Sequence, residues 1–225
     1  GMDAEALLSA PVNYSVPKFL LELNPIYKYK VTPDDYSKSN KYIVVDTQDI
    51  SSFPDYVKIE QIAELYDHRW GNEEYWKAKL HDNAVIEQVG ACATLIWEKI
   101  KKMEVSTNIS DTNLKLLAAA IASNTLNFQA KITSERDNKA FAEISELANL
   151  SEKWVEIYYV RVQQEIVKNL EIALKLDIKK ITLRDGSKVN MGQLEIWDGL
   201  DLLQNRQSEI FTFFQSLGTK WVLTA

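Results

Sequence analysis

The chain has 225 residues, a net charge of −6 at neutral pH and one cysteine. A chain of this length buries a core without disulfide staples, and its single cysteine excludes an internal disulfide and fits a reducing compartment. The acidic balance, with no clustered basic stripe, argues against a nucleic-acid partner. No apolar run approaches the ~20 residues that span a bilayer, so no membrane partner is expected either.

All five prolines (Pro11, Pro17, Pro25, Pro33 and Pro54) lie in the first quarter. Proline removes a backbone donor and clashes within a helix, so the proline-free remainder is permissive for long helices. This asymmetry predicts an extended, partly β N-terminal arm over residues 1–56 and a helical body over 57–225. In the arm, Ile26 to Val31 places Tyr27, Tyr29 and Val31 on one strand face, and Lys41 to Asp46 is rich in β-branched residues. Two strands alone are marginal in water, so the face carrying Tyr27, Tyr29 and Tyr42 needs the body or another chain to cover it.

Helical spacing begins with Ile59, Ile62, Ala63 and Tyr66. A second helix is expected from an N-cap at Asn72, with Glu73 and Glu74 in the first turn. Its apolar stripe is Val85, Val89, Cys92, Ile96, Ile100 and Met103. Gly90 interrupts it or marks close packing. A third helix starts at Ser110 or Asp111 and runs to about Ala130, a fourth spans about Asp137 to Leu150, and a long fifth opens at Ser151 and ends near Leu176.

The run from Ile181 to Met191 is a hairpin signal around Asp185-Gly186. A three-residue loop, Asp185 to Ser187, pairs Leu183 with Val189 and Ile181 with Met191, keeping all four on one face. A last helix carries Ile196, Leu200, Leu203, Ile210, Phe214 and Leu217, with a gap filled by Gln207, where a buried polar specificity device, a kink or a surface position fits. Gly218 suits the position after the helix. The expected fold is therefore mainly α: an antiparallel bundle of five or six helices with one short hairpin at about 181–191.

No Gly-x-Gly-x-x-Gly, P-loop or Gly-x-Ser-x-Gly sequence occurs, and no cofactor is implied. The histidines are His68 and His81. Glu60, Glu64 and His68 are spaced i, i+4, i+8, and His81 could complete a metal set between helices. In Asp67-His68-Arg69-Trp70 an Asp beside a His can orient the ring, but adjacent residues on a helix point apart. Trp70, Trp76 and Trp97 could line a small-molecule pocket.

With no catalytic motif and a tyrosine-rich arm to cover, the leading expectation is a non-enzymatic structural or interaction subunit. Its arm would engage a protein partner or a second copy in the cytoplasm. A metal-dependent enzyme using Glu60, Glu64, His68 and His81 is the alternative, and a small-molecule sensor is the third reading.

Overall fold

The structure is a computed structural model and describes residues 6–7, 16–23, 41–218 and 220–224. The chain divides into two units, one of residues 1–11 and 23–151, the other of residues 12–22 and 152–225. That division runs through the expected 57–225 body.

The first unit is built on a parallel three-stranded sheet in the order β1 (Tyr42–Val45), β2 (Ile62–Asp67), β3 (Ala84–Ile86). Tyr42 faces Ile62 and Val45 faces Tyr66 in the first pair, and Leu65 faces Ala84 in the second. Parallel neighbours require crossovers. The β1–β2 link makes two short 3₁₀ turns, Ile50–Ser52 and Ile59–Gln61. Between β2 and β3 the chain forms a helix, Glu73–Leu80; α1 (Lys18–Leu23) precedes it in the chain, so it is α2.

After β3 come α3 (Cys92–Lys102), α4 (Asp111–Asn124) and α5 (Glu135–Leu147). Ser110 caps α4 by accepting from the Asn113 N–H, as the sequence suggested. Ser134 and Asp137 form a reciprocal capping box at the start of α5. Tyr42, Ile62, Leu65, Trp76, Ala84 and Ile86 make one buried cluster, and Tyr66, Val89, Cys92 and Leu95 make another.

The second unit contains α6 (Trp154–Lys168), α7 (Leu170–Leu176), β4 (Ile178–Thr182), β5 (Lys188–Gln193), α8 (Gly199–Ser216) and β6 (Lys220–Thr224). Its sheet runs β4-β5-β6, with β4 antiparallel and β6 parallel to β5. The expected long helix after Ser151 breaks at Asn169, whose φ of −129° and ψ of 38° leave the helical region. The gap noted at Gln207 coincides with a non-helical Arg206 inside α8. Gly218 adopts φ 65° after α8.

The fold is thus mixed α/β, with two small sheets, and the expected mainly-α bundle does not form. The apolar residues read as helical over 59–66 belong largely to β2. A parallel strand covered on both faces reads as a near-continuous apolar run and loses its alternation. Ile62, Leu65, Tyr66 and Asp67 are all buried. The helix expected from Asn72 through Met103 is instead α2, β3 and α3, and β3 is too short to show a period of its own.

The hairpin forms two positions from the expected register. Ile181 faces Val189 and Lys179 faces Met191, and the Leu183 N–H donates to the Ser187 carbonyl at 2.8 Å. The loop is therefore Arg184 to Gly186, with Gly186 at φ 79°. A shift of two preserves which residues share a face. The buried face of β5 is nevertheless the other one, carrying Asn190 and Gly192. Gly192 lies so close to α8 that a Cβ would come within 2.7 Å of Phe214 Cζ.

Tyr42 is a core residue, its hydroxyl donating to the Tyr56 carbonyl at 3.4 Å. Tyr27, Tyr29 and the strand expected over 26–31 lie outside the described residues.

Candidate metal centre

The carboxyl edge of the first sheet gathers acidic and imidazole side chains. In open α/β sheets this edge is where ligands bind, because strand ends and loops converge there. Asp46 follows β1 directly and adopts φ 59°, a left-handed conformation that Asp tolerates better than most residues. Its N–H donates to the Tyr66 carbonyl at 2.9 Å, which keeps it beside β2. Asp67 is the last residue of β2 and is fully buried. His68 comes next and is buried too.

Among the described residues, Asp46, Asp67 and His68 form the one group of three potential ligand atoms lying within 4.8 Å of one another. His68 Nε2 is 3.2 Å from Asp46 Oδ1, and Nδ1 is 3.1 Å from the Val89 carbonyl. A carbonyl can only accept, so Nδ1 carries a proton and Nε2 is the atom turned toward the carboxylates. The hydrogen bond to Asp46 raises the His68 pKa; burial opposes it and the Val89 carbonyl reinforces it.

Asp67 Oδ1 accepts from the His68 N–H at 2.7 Å, the Arg69 N–H at 3.1 Å and Arg69 Nε at 3.0 Å. Arg69 Nη2 reaches Asp67 Oδ2 at 3.2 Å and donates to the Asp46 carbonyl.

Gln48 fastens the loops around this edge. Its amide donates to the Arg69 carbonyl at 2.5 Å, its side-chain oxygen accepts the Asn72 N–H at 2.8 Å, and its carbonyl accepts Trp76 Nε1 at 2.8 Å. Behind His68, the loop from β3 to α3 is held by Asp137 of α5. That carboxylate accepts the Gly90 N–H at 2.7 Å, the Ala91 N–H at 3.2 Å and the Thr94 hydroxyl at 2.6 Å. Cys92 at the start of α3 donates Sγ–H to the Tyr66 carbonyl at 3.3 Å, and burial pushes its thiol up to about 12. A thiol so protonated is neither a nucleophile nor a ready metal ligand.

Of the four residues expected to hold metal, the structure keeps His68 and separates the rest. Glu60 is exposed on a 3₁₀ turn and His81 is exposed at the end of α2. Glu64 accepts the Tyr66 hydroxyl and sits 3.7 Å from Lys99 Nζ. The i, i+4 spacing brings side chains together on a helix, but on a strand it separates Glu64 and His68 by about 13 Å. Asp46 and Asp67 were not among the expected ligands. Their signal is an acidic residue directly after an apolar stretch, Tyr42 to Val45 before Asp46 and Leu65-Tyr66 before Asp67. The three tryptophans stand in different settings. Trp76 is in the sheet core, Trp97 is buried and donates to Glu143 Oε2 at 2.8 Å, and Trp70 is exposed.

No protein-family model matches the chain. It is 25% identical over 211 residues, 93% of its length, to a probable manganese-dependent inorganic pyrophosphatase from Exiguobacterium sp.. It is 27% identical over 192 residues to a manganese-dependent inorganic pyrophosphatase from Methanothrix thermoacetophila. The chain spans 66% and 59% of the lengths of these two relatives, that is, less than two thirds. A solved structure from Methanococcus jannaschii, assigned to family II inorganic pyrophosphatases, matches with a TM-score of 0.63 and 20% identity. That match covers 98% of this chain and 74% of that one. The structural match establishes the α/β fold. The relatives, named as enzymes and aligned over most of the chain, overturn the expectation of a non-enzymatic interaction subunit.

Proposed function

We propose that this chain carries a manganese-dependent phosphoanhydride hydrolase centre acting on inorganic pyrophosphate, with Asp46, Asp67 and His68 as the protein's metal ligands. The observation that carries the reading is the convergence of these three side chains at the carboxyl ends of two adjacent parallel strands. The names of the sequence relatives support the metal and the substrate. Two carboxylates and an imidazole are a hard oxygen and nitrogen set that suits Mn²⁺ and would not select a soft ion. A bound divalent ion supplies Lewis-acid polarisation of a phosphoryl oxygen and a water of lowered pKa.

The chain's own contribution is orientation. Val89 fixes the His68 tautomer, as the outer partners of metal-bound histidines generally do. Asp67, held by the backbone N–H groups of His68 and Arg69, cannot swing away from the sheet edge. A cytoplasmic setting goes with this reading, supported by a lone, buried free thiol.

The test is phosphate release from pyrophosphate by purified protein with Mn²⁺, with Mg²⁺ and with EDTA. Activity should require the divalent ion. Asp46→Asn and His68→Gln should each lower it by more than the roughly 10–100-fold cost of losing an outer partner, with far-UV circular dichroism unchanged. Absence of phosphate release, together with no measurable Mn²⁺ binding, would remove the proposal.

A further inference from the structure

We propose that Arg69 is a built-in cation that occupies the carboxylate pair until a divalent ion displaces it. Asp67 is fully buried, and an isolated buried carboxylate is costly unless it is paired and hydrogen-bonded. The pairing comes from its neighbour two positions on. Arg69 Nε bonds Oδ1 at 3.0 Å and Nη2 bonds Oδ2 at 3.2 Å, the two-pronged arrangement in which a guanidinium matches a carboxylate. The same Nη2 donates to the Asp46 carbonyl and lies 3.7 Å from Asp46 Oδ1. One guanidinium thus touches both acids that would ligate metal.

Arginine does not lose its proton, so this positive charge is present at every working pH. A divalent ion that binds Asp67 meets carboxylate oxygens that the guanidinium already bonds, and at Asp46 it meets a positive charge 3.7 Å from Oδ1. The two cations therefore compete for the same negative charge. The Arg69 side chain is 53% exposed, so its head can leave into water without crossing the core. Its backbone N–H keeps its own bond to Asp67 Oδ1, so displacement of the side chain leaves the carboxylate oriented. The site has two states, closed by an internal cation and opened by an external one, and its metal affinity is set by the difference between them.

This inference rests on the metal-centre reading, and one experiment separates the two. Mn²⁺ binding is measured on the full chain by the EPR signal of the free ion and by calorimetry. The proteins are the wild type, Arg69→Ala and Arg69→Met, with thermal melting recorded with and without Mn²⁺. Both variants should bind Mn²⁺ roughly tenfold or more tightly than wild type, since the competing charge is gone. Without metal they should melt below wild type, and saturating Mn²⁺ should raise their melting temperature more than it raises that of wild type.

Equal affinity in all three proteins, or weaker binding in the variants, would overturn the role of Arg69 while leaving the metal centre intact. No binding by any of them would overturn both readings. The methionine variant retains apolar bulk, so it keeps the test available if the alanine variant does not fold.

Discussion

Asp137 Oδ2 accepts the Gly90 N–H at 2.7 Å, joining residues 47 positions apart in the sequence. Through this bond α5 holds the backbone of the β3–α3 loop, and the residue before Gly90 is Val89, whose carbonyl receives His68 Nδ1. The same carboxylate accepts from the Ala91 N–H, the Thr94 hydroxyl, and the Ser134 N–H and hydroxyl. Asp137 touches no ligand atom of the centre; it is a positioning residue that acts through the loop.

Asp137→Ala should therefore cost roughly 3 kcal/mol or more, because several buried donors would each lose their acceptor at once. Urea unfolding followed by tryptophan fluorescence measures this. A loss below ~1 kcal/mol would show that water or relaxation satisfies the loop instead.

The same residue makes stability depend on acid. Burial works to raise its pKa, but hydrogen bonds from Ser134, Thr94 and Gly90 outweigh it and hold the carboxyl below its ordinary value. A group whose folded pKa is depressed gives stability that is complete above its unfolded pKa, about 3.9 for Asp, and is lost as pH falls through the lower folded value. The stability gap between wild type and Asp137→Asn should therefore be widest near neutral pH and narrow below about pH 4. A gap that stays constant from pH 7 to 3 would contradict this account of the charge.

Individual elements were legible in the sequence where a local signal coincided with the final environment. Ser110 capping α4, Gly218 after α8 and the hairpin at Gly186 are set by backbone chemistry within a few residues. Of the first sheet, β1 was legible as the β-branched run from Lys41 to Asp46, whereas β2 and β3 were not, because the buried residues of β2 fall on both faces and β3 is only three residues long. Ile62, Leu65 and Tyr66 fall at spacings that a helix also permits, and only the tertiary partners decide between the two. The candidate centre shows the same effect: His68 lies in the group with Asp46 and Asp67, whereas Glu60, Glu64 and His81, read beside it on helical spacing, stand elsewhere. Asp46 and Asp67 lie 21 positions apart and meet only because β1 and β2 are parallel neighbours.

Gly90 is glycine because of close approach, with no positive φ involved. An added Cβ would stand 2.6 Å from Thr125 Cγ2 and 2.9 Å from Asp137 Oδ2. Gly90→Ala should destabilise by about 1–3 kcal/mol, the usual cost of overpacking a tight interior. Thr125→Ser removes the nearer atom and keeps the hydroxyl that donates to the Ile121 carbonyl. The double variant should recover part of the loss, and strictly additive losses in a double-mutant cycle would show that Thr125 is not the obstacle.

Gln48 carries the last prediction, because it links the loop after β1 to the loop after β2 without touching either carboxylate. Gln48→Ala removes the donor to the Arg69 carbonyl and the acceptor for the Asn72 N–H, while the Trp76 bond to the Gln48 main chain survives. The expected cost is about 1–3 kcal/mol, the penalty of leaving partly buried polar groups unpaired. The effect should be local. Amide hydrogen exchange should accelerate in residues 69–72, whereas the helix from Asp111 to Asn124 should keep its protection, since local opening draws on the weakest nearby contacts. Uniform acceleration across residues 41–151 would mean that Gln48 supports the whole unit, and unchanged exchange at 69–72 would mean that the loop is held by other bonds.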